Sequence, residues 1–139
     1  MNWEYSCGAV VFTWREGQPL YVLVQEQSGS FSLPKGHMEG DESELETARR
    51  EIFEETSLKP RFLDGFYMRD EYQLFEKPDT SKRVTYFLAE FGDEPLIPRE
   101  GEIKSIRLLP YGEASGLFKH ESTRRILSAA HAFLTKQPL

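Results

Sequence analysis

The sequence lacks several features that would place a protein in a specialised class. Its single cysteine, Cys7, cannot form a disulfide within the chain, so nothing indicates an oxidising compartment. No apolar run approaches the roughly 18 residues that a membrane helix needs, and the first residues lack the basic and apolar regions of a secretory signal. We therefore expect a cytoplasmic protein that does not bind a membrane.

Positive charge is also scarce. The chain has 17 lysines and arginines against 23 aspartates and glutamates, which gives a formal net charge of −6. An extended nucleic-acid surface needs a basic footprint, so we expect no such surface. A small anionic ligand is compatible with this balance, because a bound metal ion or a local basic strip reverses the sign of the local field.

The composition that remains is that of one globular domain. The chain has 139 residues, of which 39% are hydrophobic and 29% charged, and it contains no repeat, linker or low-complexity tract. A chain of this length buries roughly 68–70% of its unfolded surface, which is enough for a core without covalent or metal support. We predict a single domain over residues 1–139.

The hydrophobic pattern predicts strands mixed with two helices. Short apolar segments bounded by turns indicate strands at residues 6–12, 20–25, 83–91 and 103–109, with a strand, turn and strand over 61–75. Residues 35–37 are predicted as loop. Apolar residues at helical spacing predict helices over residues 41 to about 56 and over 121–136, the first capped by Asp41 with Glu44. This mixture predicts an α/β layered domain.

The first predicted helix carries its glutamates where they cost stability. Glu51, Glu54 and Glu55 lie in the last two turns, where the helix dipole disfavours negative charge. Two carboxylates about 6 Å apart repel by roughly 3 kcal/mol at an effective dielectric of about 20. A solvated acidic face is the ordinary alternative, and Arg50 can compensate one pair. Oxygen ligands at this density suit Mg²⁺ or Mn²⁺, so we predict a divalent metal site.

The same segment resembles the signature of the Nudix hydrolase family. Gly36 is followed after five residues by Glu42, and after seven more by the run Arg50-Glu51-Ile52-Phe53-Glu54-Glu55, then by one residue and Ser57-Leu58. The resemblance implies an α/β/α sandwich with a mixed β-sheet and a catalytic loop-helix-loop. It also implies hydrolysis of a nucleoside diphosphate linked to another group. One position departs, because Ser57 stands where the family has a glycine that ends the helix.

The resemblance assigns roles to the residues of this signature. Glu51, Glu54 and Glu55 would hold the divalent metal, helped by the carbonyl group of Gly36. Glu42 and Arg50 would brace each other and orient the metal ligands. Because the departure at Ser57 does not involve a ligand, it bears on local stability more than on chemistry.

Two stretches beside the signature, residues 33–37 and 45–48, resemble the asymmetric diadenosine tetraphosphate hydrolases within this family. The resemblance implies that Lys82 contacts phosphate and that Tyr86, four residues later, stacks on adenine. It implies that Phe133, near the end of the last helix, forms the other side of the adenine clamp.

Further roles come from the same resemblance and from charge. A glutamate before the last strand would act as a metal ligand or a base; Glu102 is the best match, with Glu100 as its competitor. Lys35 and Lys82 would form the basic strip that a polyphosphate needs. His37 would either donate to phosphate or cap the loop.

Together with the resemblance, these assignments predict a metal-dependent hydrolase of dinucleoside polyphosphates. Its partner is a nucleotide polyphosphate, and water attack on phosphorus would cleave diadenosine tetraphosphate to ATP and AMP. One alternative is a pyrophosphohydrolase of nucleoside triphosphates or of RNA 5′ ends. A second is a regulatory domain that binds nucleotides without turnover, which the intact glutamates at positions 51, 54 and 55 oppose.

Overall fold

The computed structural model describes residues 2–136. In chain order its elements are β1 (Asn2–Arg15), β2 (Gln18–Glu26), β3 (Phe31–Ser32), β4 (Lys35–His37), α1 (Glu44–Thr56), β5 (Arg61–Phe62), β6 (Met68–Gln73), β7 (Thr80–Glu90), β8 (Ile103–Pro110), α2 (Tyr111–Leu117) and α3 (Glu121–Thr135). None of the helices in this part of the chain is long and apolar enough to cross a membrane.

The strands among residues 2–136 form one mixed sheet. Its path runs β3-β2-β1-β7-β5, with β4 added to β1, β6 to β7 and β8 to β2. The central pair β1–β7 is parallel through 11 residue pairs, from Asn2 opposite Thr80 to Phe12 opposite Glu90. The other pairs are antiparallel. The predicted α/β fold with a mixed sheet is confirmed.

Both faces of this sheet are covered, which explains why the central strands read as continuous apolar runs. Along β1, Val10 and Phe12 point into a core shared with α2 and α3. Ala9 and Val11 point the opposite way, into a core that includes Ile52 of α1. The α1 face and the α3 face of the sheet therefore have separate cores, and the domain is an α/β/α sandwich.

Two local elements of the structure differ from the sequence-based expectation. Residues 35–37 form a strand, because β1 supplies an antiparallel partner that pairs Ser6 with His37. The short helix α2 was not predicted, since its seven residues offer too few apolar positions to show a helical period. Both elements depend on tertiary partners, which local patterns do not reveal.

Helix α1 begins later than the predicted Asp41. Its cap is Ser43, whose Oγ accepts from the backbone N–H of Glu46 at 3.1 Å, while the Glu46 carboxylate accepts from the Ser43 N–H at 2.8 Å. This reciprocal pair satisfies two helix donors and is a capping box. The predicted cap at Asp41 with Glu44 is therefore replaced by the same motif two residues further on.

Helix α1 ends at Ser57 in the left-handed conformation, with φ 68° and ψ 11°. A serine there carries a strain of roughly 1–2 kcal/mol that glycine avoids, partly offset by the greater freedom of glycine in the unfolded chain. We expect Ser57→Gly to raise the free energy of unfolding by about 0.5–1 kcal/mol in urea titrations. Ser128→Gly is the matched control within α3, and it should destabilise because its backbone is helical. If Ser57→Gly instead lowers the free energy of unfolding, the left-handed conformation of Ser57 does not strain the backbone.

Candidate active site

Strand β4 approaches helix α1 so closely that only glycine fits at its centre. A Cβ on residue 36 would overlap the carboxylate of Glu51. The absence of a side chain at Gly36 therefore leaves room for the Glu51 carboxylate, a close approach that glycine permits. Side chains alternate along a strand, so Lys35 and His37 point to the α3 face of the sheet.

Arg50 joins the acidic side chains and the loop that precedes α1. Its Nε donates to Glu42 Oε2 at 2.6 Å, and its Nη2 donates to Glu42 Oε1 at 3.0 Å and to the His37 carbonyl at 2.8 Å. Its Nη1 donates to Glu51 Oε1 at 2.9 Å and to Glu54 Oε2 at 3.1 Å. The hydrogen bonds from Arg50 hold the pKa of Glu42 at about 2. The structure thus brings the predicted pair Glu42 and Arg50 together.

Glu51 and Glu55 are buried acids. They are only 8% and 6% exposed. Burial raises the pKa of both, and it acts together with the charge of Glu51 to bring the pKa of Glu55 to about 8. Glu55 accepts a backbone N–H from Lys35 at 3.2 Å. Ionised carboxylates in such a place need a compensating cation.

This burial gives the metal-free protein a distinctive pH dependence. The pKa of Glu55 is about 8 in the folded protein against an ordinary 4.5, so between these pH values the folded protein keeps a proton that the unfolded chain releases. The free energy of unfolding should therefore fall as pH rises from about 5 to 8, by up to about 1.4 kcal/mol per pH unit from this one group. Below that window Glu55 is protonated in both the folded and the unfolded chain, so its titration does not change the free energy of unfolding.

Urea titrations in EDTA at several pH values measure this effect. Glu55→Gln should flatten the decline and be more stable than the parent at pH 8, because an amide has no proton to lose. Glu113→Gln, on the exposed surface of α2, is the matched control and should keep the parent slope. Equal slopes for Glu55→Gln and the parent would show that Glu55 titrates normally.

A second arginine, which the sequence did not single out, extends the acidic cluster. Arg99 Nη1 lies 3.1 Å from Glu54 Oε1 and 3.1 Å from Glu102 Oε2. The charge of Glu102 contributes to the raised pKa of Glu51. The structure therefore brings the predicted Glu102 to the cluster, whereas its competitor Glu100 makes no ion pair or side-chain hydrogen bond within residues 2–136. Only the fold brings residue 99 close to residue 54, so no sequence pattern indicates this contact.

The donor set of this cluster fits a hard divalent cation. It consists of carboxylate oxygens. Two of the carboxylates, those of Glu51 and Glu55, are buried, and their negative charge is poorly compensated. Within the described residues no three acidic, histidine or cysteine side chains already converge on one point. Arg50 Nη1 donates to one oxygen of Glu51 and to Glu54, and it is the cation that compensates these two carboxylates in the structure. Glu55 makes no ion pair within residues 2–136, so the charge of the cluster leaves room for a further cation.

The α3 face of the sheet carries a basic strip made of Lys35, His37 and Lys82. Burial and the nearby charge of Lys35 lower the pKa of Lys82. Burial and the charge of Lys82 lower the pKa of His37. These groups destabilise one another's positive charge, although Glu4 partly compensates it. An anion bound here would relieve their repulsion.

The structure does not place Tyr86 where a base could stack on it. Its side chain is 3% exposed and lies in the core beneath α3, beside Val84 and Leu88 of the same strand face. The tyrosine lies opposite Met68 of β6 in the antiparallel register. The prediction of Tyr86 as an adenine platform is therefore corrected, because packing on β7 leaves it no exposed ring face.

Two other aromatic side chains border the same region. Phe133 is 42% exposed, and its ring packs edge to face on that of Phe66, with the two ring centroids 5.9 Å apart. Together with Met68 it lines a pocket of about 340 Å³. Tyr72 is 42% exposed and lies directly opposite Lys82 in the β6–β7 register. The sequence reasoning missed Tyr72, since its position beside Lys82 depends on how these two strands pair.

Comparisons with known proteins agree with this geometry. The sequence profile described as NUDIX domain matches residues 5–130. The asymmetrical bis(5′-nucleosyl)-tetraphosphatase of Sus scrofa is 32% identical over 141 residues, which cover 93% of this chain and 94% of that protein. The protein of the same name from Rattus norvegicus is 35% identical over 124 residues, covering 85% of this chain and 82% of its own length.

A solved structure shares the fold. The crystal structure of a C. elegans Ap4A hydrolase binary complex superposes with a TM-score of 0.87 at 21% identity, covering 96% of this chain and 98% of that one. The elements described above therefore follow the arrangement of that structure over nearly its full length.

Proposed function

Because the chain belongs to the NUDIX hydrolase family, we propose that it hydrolyses dinucleoside polyphosphates, with diadenosine tetraphosphate cleaved asymmetrically to ATP and AMP. The printed names of the two mammalian relatives support this substrate. So does the extent of the match, which covers 94% of the Sus scrofa protein and 82% of the Rattus norvegicus protein.

One structural observation carries the proposal. The three-residue strand β4 presents Gly36 to the carboxylate of Glu51 on one side of the sheet and directs Lys35 and His37 to the other. The acidic cluster and the basic strip are therefore neighbours across a single strand. Among residues 2–136 strand β4 pairs with β1 alone, so a polyphosphate held by the strip would reach the acids past the free edge of β4. The charge of Lys35 already acts on Glu55, whose pKa it lowers against the effect of burial, and this juxtaposition suits hydrolysis of a phosphoanhydride.

We propose that Glu51, Glu54 and Glu55 hold Mg²⁺ or Mn²⁺, with the Gly36 carbonyl and Glu102 as further ligand candidates. The chemistry that such an ion supplies is neutralisation of phosphate charge and a lower pKa for a bound water. Arg50, braced by Glu42, fixes the orientation of Glu51 and Glu54 through the hydrogen bonds described above.

In the proposed reaction a water oxygen forms a bond to one phosphorus while the bridging P–O bond breaks. The electron pair of the broken bond stays with the departing nucleotide as a phosphate oxygen. Glu54 accepts the proton from water, since its side chain, 31% exposed, is more open to solvent than that of Glu51, 11% exposed. Lys35, His37 and Lys82 bind and orient the phosphate chain.

Base recognition is assigned to the exposed aromatic residues. Tyr72 lies beside Lys82, so a nucleotide whose phosphate contacts Lys82 could stack its base on the Tyr72 ring. Phe133 lines the neighbouring pocket and is the second candidate for base contact. Stacking on such rings is worth about 1–3 kcal/mol per base and tolerates different bases.

We also propose a cytoplasmic location. Cys7, the one cysteine of the chain, is buried in the centre of β1 and is a free thiol, which suits a reducing compartment.

Product analysis tests the function directly. The protein is incubated with diadenosine tetraphosphate and Mg²⁺ in water enriched in ¹⁸O. The nucleotide products are separated, and their masses are measured by mass spectrometry. We expect ATP and AMP in equal amounts, with one solvent oxygen in only one of the two products. Two molecules of ADP would contradict asymmetric cleavage.

A substrate panel separates the alternatives. Nucleoside triphosphates and RNA with a 5′ triphosphate are assayed at the same concentrations as the dinucleotide. A higher kcat/KM for either would make the chain a pyrophosphohydrolase of that substrate. Binding of all these compounds without any turnover would indicate a nucleotide-binding regulatory domain.

A further inference from the structure

A groove on the outer side of α1 adjoins the site described above through Arg50, which lines both, but its other lining residues take no part in that site. It has a volume of about 610 Å³ and lies between α1 and residues 59–62. That volume is within the range of about 300–1,000 Å³ that small-molecule sites occupy. Its lining includes Arg49 and Phe53 from the helix and Lys59 and Phe62 from the segment that follows.

The groove combines two cations with two aromatic rings. The guanidinium carbon of Arg49 lies 5.3 Å from the ring centroid of Phe62, and Lys59 Nζ lies 5.2 Å from the ring centroid of Phe53. Each pair has the geometry of a cation–π contact. Phe53 is 46% exposed and packs in neither hydrophobic core, so core formation does not account for it.

The other three charged residues of the groove already have partners. Arg61 pairs with Glu90 at 2.7 Å, Glu46 completes the capping box of α1, and Arg50 holds the acidic cluster. Arg49 and Lys59, by contrast, make no ion pair with any acidic side chain of residues 2–136. In a chain with a net charge of −6, this pair of cations forms a local positive site.

We propose that this groove is a second nucleotide-binding site, which takes a mononucleotide with its base against Phe53 and its phosphate between Arg49 and Lys59. The two cations can bind a phosphate group by charge-assisted hydrogen bonds, and the exposed Phe53 ring can stack on any nucleobase. Inorganic phosphate would contact the cations but not the rings. The site is separate from the acidic cluster, because Glu51 and Glu55 project from the opposite side of α1.

Equilibrium binding of AMP to the full chain in EDTA tests the site. AMP has no phosphoanhydride bond and is not hydrolysed, but it is also a product of the proposed reaction, so the measurement is made in EDTA and repeated in Lys82→Ala, which weakens any AMP binding at the basic strip. Isothermal titration calorimetry should show AMP binding that survives Lys82→Ala, a change confined to the basic strip. Arg49→Ala and Lys59→Ala should each weaken it about tenfold, because each removes a charged hydrogen-bond donor.

Ring variants and matched controls complete the design. Phe53→Ala should weaken AMP binding by about 5- to 100-fold, whereas Phe53→Trp should retain it. Arg125→Ala and Trp14→Ala, an exposed cation and an exposed ring elsewhere, should bind AMP like the parent. Circular dichroism confirms that each variant folds. Unchanged affinity in the groove variants, loss of binding in Lys82→Ala, or equal affinity for inorganic phosphate would each overturn the proposal.

Discussion

Glu54→Gln is expected to lower kcat for diadenosine tetraphosphate by about 10²–10⁴-fold at saturating Mg²⁺. Glutamine keeps the shape of the side chain, but it can neither accept a proton from water nor supply a charged ligand. KM should change little, because the basic strip that binds the phosphates is intact. Steady-state assays that resolve AMP and ATP by anion-exchange chromatography measure both constants.

The fold should survive this change. Glu54 loses ion pairs with Arg50 and Arg99, and partly exposed pairs are worth about 0–1 kcal/mol each. Relief of the repulsion that Glu54 feels from Glu51 and Glu55 offsets this loss. Glu121→Gln, at the start of α3, is the control and should keep the parent kinetics. Near-parent turnover by Glu54→Gln would remove Glu54 from the chemistry.

Arg50→Ala is expected to impair both stability and turnover. The change leaves Glu42, Glu51 and Glu54 without their shared cation. Breaking a fully buried ion pair costs about 3–5 kcal/mol; the Arg50 side chain is 23% exposed, so we expect about 2 kcal/mol or more. Turnover should fall about 10–100-fold, as for other residues that orient metal ligands.

Two comparisons separate charge from geometry at Arg50. Arg50→Lys keeps the positive charge but cannot donate from three nitrogens at once, so its stability should lie between those of the parent and Arg50→Ala. Arg125→Ala, on the exposed face of α3, should unfold like the parent in urea. If Arg50→Ala proves as stable as the parent, the hydrogen bonds of Arg50 contribute nothing to the fold.

The acidic cluster was predictable because its main parts are close in sequence. Glu51, Glu54 and Glu55 lie on one helix, so their spacing alone fixes their relative positions. The start of that helix was less predictable, since Asp41 with Glu44 and Ser43 with Glu46 both fit the capping pattern. The structure decides between them: Glu42 accepts hydrogen bonds from Arg50 and holds the preceding loop outside the helix.

The substrate side of the site was less predictable because it depends on strand pairing. Tyr86 shares its strand face with Val84 and Leu88, but Phe87 and Ala89 make the opposite face apolar as well, so alternation along the strand does not separate a core position from an exposed one. The resemblance to a family motif assigned the Tyr86 ring to the substrate site, whereas the structure directs the ring into the core. Tyr72 could not have been found in this way, since only the β6–β7 register brings it to Lys82.

The parallel pairing of β1 with β7 has a consequence for how the chain folds during synthesis. Every residue pair of that ladder is separated by 78 positions in the sequence. Closing so long a loop costs entropy before the new contacts compensate it, so the centre of the sheet should form late. Ribosomes add about 5–20 residues per second, so β1 waits about 4–16 seconds for its partner to be made. During that interval the β1 edge that later pairs with β7 has no partner strand. A chaperone that binds extended apolar segments would therefore bind the apolar run of β1.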